Sequence, residues 1–371
     1  MKKYLFLIVL LLLASCTSVS QSQTSVPIKI GAILILTGDF SQYGVAMQQG
    51  IELAVGEINA KGGFNGRPLQ IVFEDDSYLT RGPIGAVTAA EKLVSEDKVV
   101  ASLVTAINDG KPAAPTFERN KIPLVVLWDS NKQLEDLGDY VFGIGFSTEW
   151  AGQKMAEFAY KNLALKEVAT VYDIDEWSKL IHDSFVARFK ELGGKIDELG
   201  SYSPDEKDYR ALITKLKQTK NQGLYYPILI NGALLFQQLK ELGYDGKTLA
   251  GDTIVPEVIQ PAGNAAEGVY YTQVFAEDSE KLEQLKGLYN NKYGSELELP
   301  AFTALGYDSV YTLFEAMKLA NSTNSEAIKT ALYQVKDLQG ATGTITINEK
   351  GSASKEERIW QVQDGKEVLL S

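Results

Sequence analysis

Short runs of aliphatic and β-branched residues recur along the chain, each followed by a polar loop and then by an amphipathic helical pattern. The first, IKIGAILIL at 28–36, leads into a helix in which Met47, Ile51, Ala54, Val55 and Ile58 share one face. That helix ends at NAKGG, where Gly62 or Gly63 can take the left-handed stop conformation. LQIVFED (69–75), VVASLV (99–104) and IPLVVLW (122–128) then alternate with helical patterns over 82–96 and 110–120. Apolar runs of this sort suit strands buried on both faces. They predict a parallel sheet covered by helices on both sides.

The rhythm restarts near 148. A helix over 149–163, VATVYD (168–173), a helix over 178–193 and KIDELG (195–200) precede a helix striped by Tyr209, Leu212, Ile213 and Leu216. GLYYPILI (223–230), a helix over 232–242 and KTLAGD (247–252) complete a second doubly wound unit. The tail differs: helices near 279–292, 303–320 and 325–336, then TGTITIN (342–348) and the strand pair ERIWQVQ (357–363) and EVLL. A length of 371 residues exceeds what one core usually serves, so two α/β lobes are expected.

The N-terminus is an export signal: Lys2 and Lys3, then no charge from Tyr4 to Leu13. As a helix those residues reach only ~15 Å, about half a hydrocarbon core, so they do not span a bilayer. Leu13-Ala14-Ser15-Cys16 resembles the bacterial lipobox, in which the cysteine becomes the first mature residue and carries a diacylglyceryl group. This makes 1–15 a lipoprotein signal peptide and Cys16 the anchor, since two or more acyl chains hold a protein stably at a membrane. The polar, small-chained segment 16–26 reads as a flexible tether, with the globular part starting near Pro27. Cys16 is the only cysteine, which excludes internal disulfides. The net charge of −12 becomes more acidic when the leader's two lysines are lost, and argues against nucleic acid as a partner.

Catalytic signatures are missing. No G-x-x-x-x-G-K-[ST] loop occurs, and AKGGFNG follows a helix where a dinucleotide fingerprint follows a strand. The single histidine, His182, reads as a helix-surface residue and cannot supply an H-E-x-x-H zinc site. DIDEW (173–177) lacks the third acid and the glycine of a calcium loop. No metal or cofactor is expected, and an enzyme is disfavoured, with a carboxylate-only hydrolase left open.

Taken with the leader and the two lobes, IKIGAILILTGDFSQYGVAMQQGIELAVGEINAKGGFNGRPLQIVFEDD and GYDSVYTLFEAM resemble the branched-chain amino acid (Leu/Ile/Val) binding family, the type I periplasmic solute-binding proteins of ABC importers. The resemblance runs over nearly the whole chain from Ile28. It implies three crossovers, near 144–148, 272–276 and 348–354. One lobe then comprises 27–145 plus 275–349, and the other 146–274 plus 350–371. It further implies a monomer that closes on a small-molecule ligand, an amino acid or related amine or amide, and docks on permease subunits. A sensor with the same clamshell is the alternative.

Ligands in such sheets sit at the carboxyl ends of strands, beside helix N-termini. By that rule and the resemblance together, the expected ligand-binding residues are Tyr43, Thr105, Asp129, Ser130, Trp177, Asp252 and Tyr307. Tyr43 matches a flanking aromatic, Thr105 a carboxylate-gripping hydroxyl, Asp129 and Ser130 a second such turn. Trp177 stands where the family often has tyrosine, and Asp252 where it uses an acid to pair with the ligand's ammonium. The chain departs from the family after its third strand, where relatives show serines and Ala106, Ile107, Asn108 and Asp109 stand here. Asp109 serves either as a cap on its own helix or as a crevice residue. If Asp109, Asp129, Asp173, Asp175 and Asp252 face the crevice together, it repels a carboxylate and prefers an amine or a neutral polar solute. With no basic residue at a crevice position, dicarboxylates and phosphates are disfavoured.

Overall fold

The computed structural model describes residues 26–370 except 39, 77–81, 131, 274–278, 354 and 356–357. The leader, Cys16 and the tether lie outside the described residues, as do parts of the second and third expected crossovers.

The first sheet contains β1 (Ile28–Leu34), β2 (Leu69–Asp75), β3 (Ala101–Val104), β4 (Leu124–Val126) and β5 (Val141–Gly143), parallel throughout in the order β2-β1-β3-β4-β5. Successive side chains of β1 point to opposite faces, and both faces are buried. Ile28, Ile30, Ala32 and Leu34 join a core with α1 (Ser41–Ala60), while Ile33 joins one with α2 (Pro83–Lys92) and α3 (Ile107–Arg119). The predicted stripe of α1 is realised: Met47, Ile51, Ala54 and Ile58 are buried, and Val55 packs at their margin. The helix expected over 82–96 is α-helical only to Lys92 and closes in a π-turn over Leu93–Asp97.

The second unit runs α4 (Thr148–Glu157), β6 (Glu167–Asp173), α5 (Glu176–Glu191), β7 (Lys195–Tyr202), α6 (Arg210–Gln218), β8 (Gly223–Tyr225), α7 (Gly232–Glu241), β9 (Lys247–Ala250), α8 (Pro256–Ala262) and β10 (Tyr270–Gln273). The chain then builds α9 (Glu280–Tyr293), α10 (Pro300–Ala320), α11 (Ser325–Leu332) and the hairpin β11 (Leu338–Gly340) to β12 (Gly343–Ile345), all packed on the β1 core. Finally β13 (Arg358–Gln363) and β14 (Lys366–Leu369) return to the second sheet, of order β14-β13-β10-β9-β8-β6-β7. Its last two strands run antiparallel, and the other five are parallel. The chain is therefore two doubly wound α/β lobes, the first completed by helices from its own C-terminal third.

Where the chain passes between lobes, the described backbone is tied together. Gly143 N–H donates to Gly351 at 2.9 Å, Ala353 N–H to Gly143 at 2.7 Å, and the Ser130 hydroxyl to the Ala353 carbonyl at 3.0 Å. The segments around 143 and 352 thus run side by side, which sets the lobes face to face.

Candidate ligand site between the lobes

In the first sheet the chain reverses direction of travel between β1 and β3, and in the second between β6 and β8. Loops leaving strands on either side of such a switch point diverge and leave a crevice. Here the two crevices oppose each other and enclose a cavity of about 290 Å³. The first lobe contributes Ile35 and Phe40 after β1, Ala106 to Asp109 after β3, and Trp128 and Asp129 after β4. The second contributes Ile174, Asp175 and Trp177 after β6, Pro204 and Asp205 after β7, Leu229 and Ile230 after β8, and Thr253 after β9. The walls are mostly aliphatic and aromatic, the polar groups are few and mostly acidic, and no Lys, Arg or His lines it among the described residues.

Three helix N-termini meet this space, and that of α1, whose N-cap Phe40 lines the cavity, has no side-chain cap. The N-cap of α3 is Ala106, which has no capping side chain; Asp129, arriving from the end of β4, supplies the carboxylate and accepts from Ile107 N–H at 2.6 Å. Its other oxygen accepts from the Thr148 hydroxyl at 3.4 Å, at the start of α4 in the opposite lobe. Burial pushes the Asp129 carboxyl up to about 6, against the lowering by the Ile107 and Thr148 bonds. Asp175 caps α5 through Ser178 N–H at 3.0 Å, and burial raises it as well to about 6.

Two further acids are less well satisfied. Asp109 is 1% exposed, and no N–H donor meets either of its oxygens; burial, the neighbouring carboxyls of Asp76 and Asp129 and a hydrogen bond shared with Asp76 raise it well above the carboxylate range. Asp252 is buried with Oδ1 unbonded, and is raised to about 7 by burial and by Asp129, while its own backbone N–H and the Trp177 side chain oppose the rise.

Of the residues expected at the ligand, Asp129 and Trp177 line the cavity, and Asp252 sits against both. The others stand one layer back. The Thr105 hydroxyl accepts from Ile35 N–H at 3.2 Å and the Ser130 hydroxyl is used by Ala353, so each braces a loop. Tyr43 packs edge-on to Trp128 and against Phe302, behind the wall. Tyr307 corrects the expectation outright: it is buried between α1 and α10 with its hydroxyl donated to Glu57 at 2.5 Å. Asp173, expected among the crevice acids, is turned inward to accept from Tyr226 at 2.6 Å and Leu229 N–H at 2.7 Å, and so holds the 226–230 loop in place. His182 is also corrected. It is 2% exposed, its ring tilted against that of Tyr172 and bonded to Asp183, and burial lowers it below the usual imidazole range.

A sequence profile of the periplasmic binding protein family matches residues 27–367. The chain belongs to that family. Within this family of extracytoplasmic solute-binding proteins, which are not enzymes, it is similar to the branched-chain amino acid binders. It is 30% identical over 349 residues to Leu/Ile/Val-binding protein homolog 3 of Brucella melitensis, covering 92% of this chain and 93% of that one. The leucine-binding protein LivK of Thermotoga maritima superposes with a TM-score of 0.83 at 29% identity, over 93% of this chain and 98% of that one. LivJ of Streptococcus pneumoniae, solved with isoleucine, gives 0.82 at 27% identity, over 92% and 97%.

For this periplasmic binding protein, strand-end reasoning missed Ile35, Pro204, Asp205 and Thr253. The available signal was the same rule applied to every strand: SPDE after β7 and DT after β9 occupy the positions that WD occupies after β4.

Proposed function

We propose that this chain is the lipid-anchored receptor of an ABC importer, capturing an amino acid or a related small amine or amide between its lobes and presenting it to permease subunits. The observation that carries the reading is the cavity at the opposed strand ends, walled by apolar side chains from both lobes with a few polar groups among them. A ligand that contacts both lobes stabilises the closed arrangement over the open one by the contacts made only there. Likeness to proteins named for leucine, isoleucine and valine supports a small organic solute.

In this reading 1–15 is removed, Cys16 is acylated, 16–26 is the tether, and the molecule works as a monomer. The lobes are 27–145 plus 275–349 and 146–274 plus 350–371. Asp129, Trp177 and Asp252 meet the ligand, and Tyr43, Thr105 and Ser130 brace the loops that carry them.

The test is a thermal-shift screen of amino acids, amides and amines on refolded, ligand-free protein, followed by calorimetry. Stoichiometric binding without turnover is the expected result, and conversion of the solute would overturn the receptor reading. Membrane fractionation tests the anchor: Cys16→Ser releases the protein into the soluble fraction, and retention would mean a different anchor.

A further inference from the structure

Helix N-termini that face a cleft are natural receptors for a ligand carboxylate, because their first N–H groups lack partners within the helix. In this cleft those of α3 and α5 are filled from within, while that of α1, with Phe40 at its N-cap, has no side-chain cap. Asp129 sits on Ile107 N–H at the start of α3, and Asp175 sits on Ser178 N–H at the start of α5. The Asp129 carboxylate comes from β4, 22 residues away in sequence, so it is placed there by the fold and not by local helix chemistry.

A second observation points the same way. Asp109 lines the cavity with both oxygens buried and met by no N–H donor, its carboxyl set beside that of Asp76, and Asp252 Oδ1 is likewise buried and unbonded. Buried acceptors without donors are costly unless a ligand brings the donors. Asp109 and Asp175 belong to opposite lobes, and both line the cavity. Lys111, two residues beyond Asp109 on α3, is engaged with Glu176 at 2.8 Å. Around the acids stand Phe40, Trp128, Trp177, Ile174 and Leu229, suited to an apolar body and, through the aromatic faces, to a cation.

We infer that, granted the receptor reading, this cavity takes a small protonated amine with an apolar body and no free carboxylate, the protein's own Asp129 and Asp175 standing where a ligand carboxylate would bind. A zwitterionic amino acid that put its carboxylate at the start of α3 or α5 would set it against Asp129 or Asp175. Like charges at such distances in a site removed from water are strongly unfavourable.

Calorimetry on the refolded, ligand-free protein tests this with two side-chain series, leucine and phenylalanine. Each is offered as the amino acid, its amide, its decarboxylated amine (3-methylbutylamine, phenethylamine) and its deaminated acid (4-methylpentanoate, 3-phenylpropanoate). The expected order in at least one series is amine and amide at least tenfold tighter than the amino acid, with the deaminated acid not binding. An amino acid tighter than its own amine overturns the inference while leaving the receptor reading intact. Silence from every probe also overturns the inference; the receptor reading falls with it only if a broad metabolite screen finds no solute that contracts the molecule in X-ray scattering. Asp129→Ser provides a gain of function: with Ile107 N–H freed and the charge gone, the preference for amide over amino acid should fall tenfold or more. An unchanged preference in the folded variant counts against the inference.

Discussion

Asp252 lies where burial, Asp129 and Trp177 act on one carboxyl, and the balance holds its proton to about pH 7. An unfolded chain releases that proton near pH 4. Between those values the folded state binds more protons than the unfolded one, so this group's contribution to stability falls as pH rises from about 4 to about 7. Asp252→Asn removes the cost. The difference in melting temperature, variant minus wild type, is therefore expected to grow from pH 5 to pH 8, and a constant difference would remove the assignment. The same carboxyl is the expected partner of the ligand's ammonium, through a charge-assisted bond of roughly 1.5–3 kcal/mol. Asp252→Ala should then weaken an amine-bearing ligand about tenfold or more by calorimetry. Unaltered affinity would show that the ammonium sits elsewhere. Trp177, packed on Gly251 and bonded to Asp252, should report the event by its fluorescence.

At the scale of elements, α1 and α10 cross with almost no space between their backbones. A Cβ on Gly50 would lie 1.9 Å from the Thr303 carbonyl oxygen, and one on Gly306 2.0 Å from that of Met47. Two glycines facing each other's backbone let α10, from the C-terminal third, lie close on α1. Gly306→Ala is expected to cost about 1–3 kcal/mol or more in denaturant unfolding, since backbone cannot rotate away as a side chain can. Helix α3 carries the other lesson. Its start was expected at 110, with Asp109 as a candidate cap, whereas the helix begins at Ile107 with Asp129 as its cap. A cap borrowed from a neighbouring strand leaves no trace in local sequence. The strands show the opposite: LQIVFED is β2 residue for residue, because a short run rich in apolar and β-branched residues is local to the sequence.

For the whole molecule, the two lobes meet across the cavity mouth through Lys111 on α3 and Glu176 on α5, at 2.8 Å with both side chains about half exposed. An exposed pair contributes little to stability, roughly 0–1 kcal/mol. Its effect belongs to closure. Glu176→Gln is expected to leave the unfolding midpoint nearly unchanged while speeding ligand release in stopped-flow fluorescence. A large loss of stability with unchanged release would assign the pair to folding instead. Scattering should show the molecule contract on adding a bound amine, as expected of two hinged lobes. Behind the hinge, Asp308 accepts from Ala341 N–H, Thr342 N–H and the Thr342 hydroxyl, with Lys355 donating to that hydroxyl at 2.6 Å. Such a knot fixes the late hairpin to the first lobe.

The sequence by itself determined the alternation of strands and helices, the restart that makes two lobes, and the strand ends at which a ligand must sit. Each of these follows from local periodicity, which a chain displays before it folds. Only the tertiary structure decided which polar side chains are free to meet a solute. Thr105 is drawn to Ile35, Ser130 to Ala353, Tyr307 to Glu57 across 250 residues, and Asp129 to the head of α3. Most buried donors and acceptors find a partner, and those partners are set by packing between distant segments, so the residues left over to bind become known only when the fold is complete.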